Sequence, residues 1–317
     1  MRRNVTLFAI GCAVFATVAL ASCNKFNGSQ TVPSYIHIDS ITLDPSTDYA
    51  SYGAATSNFS DAWVYVNDQI VGCFELPATF PVLAKGKCKV TVSPGIKIDG
   101  RRGSRSNYLF CKAKEYHDMT LTEGMIDTIN TVVEYYERDI LQIGWREDFE
   151  TGSSLVPLAD SDTTPIRVSG AEAWRSEHSF YSAKVALPPD SLDFYLSSAE
   201  EMTFHNSFND QTPCMLEMDY KCNDTFFVGL LYQKSNTIVR WPLVKVLPTD
   251  KQHALPQRWN KIYINFSGVM KREASASYFK LYFTSDLSVD PEYGEHPYTP
   301  LNEPRYYYFD NLKVLYR

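Results

Sequence analysis

The sequence predicts an all-β protein: a small N-terminal β-sandwich-like domain followed by a C-terminal jelly-roll β-sandwich. Three observations predict it. The chain carries 21 Tyr, 18 Phe and 5 Trp, residue types that favour pleated surfaces, and 17 Pro and 15 Gly to break strands and form turns. Short stretches of two-residue alternation recur along it, bounded by turn-forming clusters. After residue 22 no long, clean helical period interrupts them.

The first element is not part of the fold. Arg2 and Arg3 precede an apolar run from Val5 to Leu20, which closes on Leu20-Ala21-Ser22-Cys23. The run is shorter than the roughly 20 residues a membrane-spanning helix needs. A basic start, an apolar middle and small residues at the end make residues 1–22 a signal peptide. Leu-Ala-Ser-Cys resembles the lipobox of bacterial lipoproteins. That resemblance implies an acylated Cys23 at the head of the mature chain, with membrane lipid as its partner. One acyl chain binds marginally and two or more anchor stably, so no spanning helix is needed. In that family, Asn24 in place of an aspartate implies the outer membrane, with the periplasmic and cell-surface sides both open. Residues 23–34, polar with a Gly and a Pro, read as a tether.

Removing the leader leaves 295 residues, enough for two modules with their own cores. It also takes Arg2 and Arg3 from the 30 basic residues, leaving 28 against 37 acidic ones and a formal charge near −9. That balance argues against a nucleic-acid partner, which would require a basic face. Of the remaining cysteines, Cys214 and Cys222 stand at the ends of one strand pattern. Eight strand steps span about 26 Å and a disulfide reaches at most about 7 Å, so these two do not bridge each other. They read as core thiols, while Cys73, Cys88 and Cys111 allow one bridge in the first domain or none. No pair has the close CxxC spacing of a zinc or redox site.

In the first domain, residues 35–140, strands are expected at Tyr35 to Leu43, Ala62 to Val66, Gln69 to Phe74, Cys88 to Val92 and Ile126 to Tyr136. Asn67-Asp68 joins the second and third as a tight hairpin turn, because both residues tolerate positive φ. Val64-Tyr65-Val66-Asn67-Asp68 with Gly72, Leu76-Pro77 and Leu83 with Gly86 resembles the small PEGA-type β-domains, with Asp68 where that family usually has glycine. The loop Gly100-Arg101-Arg102-Gly103-Ser104-Arg105 is a compact basic tip, either solvated or in contact with anionic headgroups.

The second domain, residues 145–317, has strands expected at Ser182 to Leu187, Met215 to Cys222, Phe226 to Tyr232, Ile238 to Val246, Trp259 to Phe266, Tyr278 to Phe283 and Tyr306 to Tyr316. In the fifth, Ile262, Ile264 and Phe266 alternate with Lys261, Tyr263 and Asn265, the pattern of a half-buried antiparallel strand. Asp148-Phe149-Glu150-Thr151-Gly152, Arg258-Trp259-Asn260-Lys261 and Tyr308-Phe309-Asp310-Asn311 resemble the jelly-roll carbohydrate-binding modules. The chain as a whole is similar to lipoproteins of Bacteroidetes-type bacteria.

From that resemblance Glu150 and Asp310 are candidate ligands of a structural calcium, which wants clustered oxygens; otherwise they are a turn residue and a strand cap. Trp174, Trp241, Tyr293 and Tyr298 are candidates for a sugar-stacking platform, or else aromatics covering the sandwich edge. Catalytic signals are lacking: the six histidines are scattered, with no HExxH pair and no GxSxG elbow. The expected role is non-catalytic binding, of glycan through the second domain. The alternatives are a scaffold that meets envelope proteins, and a hydrolase whose carboxylates only the fold would bring together.

Overall fold

The computed structural model describes residues 32–189, 191, 193–204, 208, 212–249, 255–286, 288 and 303–317. Cys23, Tyr293 and Tyr298 lie outside the described residues. Among the described residues, no helix is long and apolar enough to cross a membrane.

The N-terminal strands are β1 (Ser34–Leu43), β2 (Asp61–Val66), β3 (Gln69–Glu75), β4 (Ala78–Val82), β5 (Gly86–Lys97), β6 (Arg105–Asn107), β7 (Lys114–Leu121) and β8 (Ile126–Val133), with one helical turn, α1 (Tyr49–Tyr52), after β1. They make two sheets, one ordered β4-β1-β8 and one β3-β2-β5-β6 with β7 also paired to β5. Alternation explains the closure: Ile36 and Ile38 of β1 face Val64, Val90 and Val92 of the other sheet in one core. The β2–β3 turn is the expected one, with Asn67 at φ 49° and Asp68 at φ 64°. Asparagine and aspartate enter this left-handed region more readily than other side chains, so Asp68 does the work of a glycine.

The C-terminal strands are β9 (Gln142–Glu147), β10 (Leu155–Pro157), β11 (Ile166–Ser169), β12 (Tyr181–Leu187), β13 (Tyr195–Ser198), β14 (Cys214–Cys222), β15 (Phe226–Lys234), β16 (Thr237–Val246), β17 (Asn260–Asn265), β18 (Phe279–Thr284) and β19 (Arg305–Tyr316), with α2 (Ser267–Arg272) after β17. Five of them form a sheet ordered β10-β13-β18-β15-β16, and six form a sheet ordered β11-β12-β19-β14-β17 with β9 on β19. The two enclose a second core that includes Leu216, Met218, Phe226, Val228, Ile262, Ile264, Phe283 and Phe309. This is the all-β sandwich the sequence predicts. All five described cysteines are unpaired, and Cys214, Leu216, Met218, Tyr220 and Cys222 all belong to this core.

Gln142 and Ile143, between the two expected domains, begin β9 and pair with Tyr316 and Leu315. One expectation needs correction. The half-buried pattern of β17 is buried on both sides: Ile262 and Ile264 face the second core, while Lys261 and Tyr263 are covered by the N-terminal sandwich. The same holds along β14, where every residue is buried. Met215, Tyr263 and Leu315 pack into the first core, not the second.

Candidate functional site at the seam between the sandwiches

The seam is built from charges that a sequence places in water. Glu217, Lys261 and Lys313 point outward from β14, β17 and β19, and none of them is more than 6% exposed. Glu217 accepts hydrogen bonds on Oε1 from the Tyr108 and Tyr135 hydroxyls, and its Oε2 pairs with Lys261 Nζ at 3.0 Å and Lys313 Nζ at 3.6 Å. Lys313 Nζ also donates to the carbonyls of Tyr52 (3.1 Å) and Ala54 (3.0 Å) and to the Tyr135 hydroxyl (3.0 Å). Asp219 Oδ2 accepts from Thr56 Oγ1 at 2.7 Å and Asn311 Nδ2 at 2.9 Å. Burial pushes the Glu217 carboxyl up, but Lys313 and Lys261 outweigh it and hold it down at about 2. Burial brings Lys313 down to about 8, even with Glu217 beside it.

Over this floor lies a cleft of about 570 Å³ between the sandwiches. One wall is the β1–β2 connection. Its α1 is started by Asp48, whose carboxylate accepts from the amides of Ala50 and Ser51, and Tyr49 follows with its hydroxyl on Asp148 at 3.0 Å. Gly53 turns the chain at φ 73°, its Cα side packed on the Arg146 side chain. The other wall is the 171–180 loop and the start of β17. Trp174 and Trp259 meet there edge to face at 5.8 Å and 88°, and His178 packs against Tyr49 at 4.9 Å.

The tryptophans are held before any ligand arrives. The Trp174 amide donates to Ser182 Oγ at 2.8 Å. The Trp259 ring carries the buried Lys221 ammonium at 5.0 Å, which also lies 4.5 Å from Tyr308. Tyr308 in turn donates to Glu172 at 2.6 Å. Asn58 and Asn260 complete the rim, Asn58 Nδ2 donating to Asn260 Oδ1 at 3.1 Å. Trp174 Nε1 is buried with no acceptor.

A larger cleft of about 1090 Å³ opens on the far side of Asn58, Asn260 and Lys261, which border both. Trp241 lies here, on the edge strand β16, with the Arg272 guanidinium 4.4 Å over its ring. The basic loop forms its third wall. Asp99 N donates to Tyr263 O at 2.8 Å and Asn265 N to Asp99 Oδ1 at 3.1 Å, so the base of the loop is docked on β17, while Gly100, Arg101, Arg102 and Gly103 at its tip are exposed to solvent. Arg105 is paired with Asp61 at 2.8 Å and Glu75 at 2.6 Å.

Of the residues singled out from the sequence, Trp174 and Trp241 therefore line different clefts. Glu150 and Asp310 both engage the segment leading into β12. Glu150 Oε1 accepts from the amides of Phe180 (2.7 Å) and Tyr181 (2.9 Å). Asp310 accepts from Ser182 Oγ at 2.5 Å, Ser179 Oγ at 3.3 Å and its neighbour Asn311 N at 2.7 Å. Burial pushes its carboxyl up to about 8. Among the described residues no three His, Cys, Asp or Glu gather as metal ligands, and both carboxylates accept hydrogen bonds from protein groups. Tyr49, His178 and Trp259 were not anticipated. Only Trp259 had a signal, as a tryptophan opening a strand in the Arg258-Trp259-Asn260 motif.

No family model and no curated protein matches the chain. Among solved structures, it is similar to the cleaved adhesin domain of Lys-gingipain from Porphyromonas gingivalis, at 13% identity over 54% of this chain and 96% of that one, with a TM-score of 0.32. It is similar to a tandem of two family 22 carbohydrate-binding modules from Paenibacillus barcinonensis, at 12% identity over 82% and 75%, TM-score 0.34. A family 29 carbohydrate-binding module aligns at 9% identity over 56% and 86%, TM-score 0.27. Superpositions this loose carry no information about a ligand.

Proposed function

We propose that the chain is a non-catalytic binding protein, held at the outer membrane by acylated Cys23, whose seam cleft takes a glycan. The observation that carries this is the pre-ordered aromatic corner of Trp174 and Trp259 facing Tyr49 and His178, with the Asn58 and Asn260 amides beside it. Pyranose rings stack their C–H faces on such surfaces and offer hydroxyls to such amides. The volume falls within the roughly 300–1,000 Å³ of small-ligand sites, and the unused Trp174 Nε1 adds a donor for a ligand oxygen once the side chain shifts.

The test is retention of the mature chain on an array of glycans, with and without a chelator. Binding that Trp174→Ala and Trp259→Ala each weaken by tenfold or more supports the reading. Retention on no glycan, or retention that both variants leave unchanged, refutes it. The chelator arm bears on calcium: the engaged state of Glu150 and Asp310 leads us to expect the same retention and the same Tm with and without it. Anchoring has its own test, since Cys23→Ser should move the chain from the membrane to the soluble fraction.

A further inference from the structure

Large apolar side chains are exposed singly over much of this surface, as on most proteins, but at one place four of them gather. Val32 is 53% exposed, Leu83 77%, Met125 59% and Ile126 59%. The sheet β4-β1-β8 brings them together at one end. Ser34 pairs with Val82, so Leu83 extends past the start of β1 on one side. Tyr35 pairs with Ile126 on the other side, and its amide donates to the Met125 carbonyl at 2.9 Å. The turn before Met125 lies against Val32, with the Gly124 Cβ position 3.9 Å from Val32 Cγ1 and Gly124 N bonded to Pro33 O at 2.9 Å. Lys85 and Lys87 stand beside this tip with side chains 71% and 76% exposed, paired to Glu123 at 3.1 Å and Asp118 at 3.8 Å.

The position of this tip along the chain identifies its occupant. Only nine residue steps separate Val32 from Cys23, and fully extended they reach at most about 30 Å. As a flexible coil they would average roughly 15–18 Å. If Cys23 is buried in a bilayer, the four side chains cannot leave its neighbourhood. We infer that this tip is a membrane-seating surface: Val32, Leu83, Met125 and Ile126 enter the acyl boundary of the leaflet that holds the Cys23 lipid. Lys85 and Lys87 then lie at headgroup level, where long basic side chains extend their ends toward water and phosphate. The inference rests on the anchoring proposed above. It adds that the protein has one orientation on the membrane and does not swing freely on its tether.

The test separates the two. Single variants Leu83→Cys, Met125→Cys and, as a control on the other sandwich, Ile166→Cys are labelled with an environment-sensitive dye; Ile166 is also exposed and apolar, at 55%. Each is prepared in two forms: the acylated full chain in phosphatidylethanolamine–phosphatidylglycerol vesicles, and the chain from Asn24 with an N-terminal histidine tag on vesicles containing a nickel-chelating lipid. The second form brings the tip to the membrane whether or not Cys23 is acylated. The expected result in both is blue-shifted emission and severalfold protection from aqueous iodide at 83 and 125, with neither at 166. Adding Met125→Asp and Ile126→Asp should remove the protection at 83. Equal quenching at all three positions overturns the inference, and so does protection at 166 equal to that at 83. Failure of the first form alone to co-float with vesicles overturns the anchoring and leaves the tagged form to decide on the tip.

Discussion

Glu217→Gln tests the seam most directly, because it changes a charge and almost nothing else. The native carboxylate is fully buried and meets two tyrosine hydroxyls and two ammonium groups. In the variant, Asp219 is left as the carboxylate paired with Lys261, at 3.8 Å, and Lys313 keeps two carbonyls and a hydroxyl. Breaking a buried pair from one side costs about 3–5 kcal/mol. For a chain of this size that lowers Tm by roughly 6–20 °C. The cost falls on the seam, so calorimetry should show one transition for the native chain and two for the variant. The loss should also shrink as pH rises toward 8 and level off above it. Lys313 is brought down to about 8 by burial while Glu217 holds it up, so without Glu217 it sheds its proton earlier and the unpaired charge disappears. Combining Glu217→Leu and Asp219→Asn with Lys261→Met and Lys313→Met should recover most of the stability, since apolar or neutral replacement of a whole buried ion cluster is often neutral or better. A loss below about 1 kcal/mol, the scale of a surface pair, with a single transition retained, would refute the reasoning.

Two further substitutions test the C-terminal sandwich. Asp310 holds its proton up to about pH 8 in the fold, against an ordinary value of 3.8; the stability this contributes is full below 3.8 and is lost as pH rises through 8. The Tm advantage of Asp310→Asn over native should therefore grow between pH 5 and pH 8, and parallel Tm curves would rule the account out. At Gly229 a Cβ would lie 1.9 Å from Trp241 O and 2.9 Å from Leu243 N, both backbone atoms of β16. Gly229→Ala should cost about 1–3 kcal/mol or more and disturb the Trp241 side of the larger cleft, which an unchanged Tm would contradict.

What the sequence shows and what it hides divide along a physical line. The Asn67-Asp68 turn and the alternation of β14, β17 and β19 are local, so they are legible within a few residues. The strand β7, Lys-Glu-Tyr-His-Asp-Met-Thr-Leu, was missed because only Leu121 among its residues is buried. Strands β1 and β8 are parallel neighbours more than 80 residues apart, a pairing no local pattern announces. The seam was hidden for a different reason. Glu217, Asp219, Lys261 and Lys313 occupy outward positions on their strands, and charged residues there are almost always in water. Only the docking of the other sandwich reverses that rule. The cleft is hidden in the same way: Trp174 could be named, but Tyr49, His178 and Trp259 come from three segments that meet only after docking.

The tip and the cleft lie at opposite ends of one strand. β1 starts beside Val32 and ends at Leu43, just before the Pro45, Thr47 and Tyr49 wall of the smaller cleft. Its ten residues span about 30 Å at the usual strand rise. β1 is paired on both edges and the seam charges join the sandwiches, so that distance is fixed. A seated tip therefore holds the cleft at a fixed height of at most about 30 Å above the membrane, whatever the tether does. This predicts the outcome of lengthening the tether. About ten Gly/Ser residues inserted after Asn24 would let a free-swinging domain rise and spread its distances, since coil dimensions grow with the square root of length. On a seated domain the insertion changes nothing. With a donor dye at His178→Cys and acceptors in the bilayer, energy transfer should be the same for both tether lengths. It should fall only when Met125→Asp and Ile126→Asp release the tip, and a fall on insertion alone would show that the domain hangs from its lipid without touching the surface.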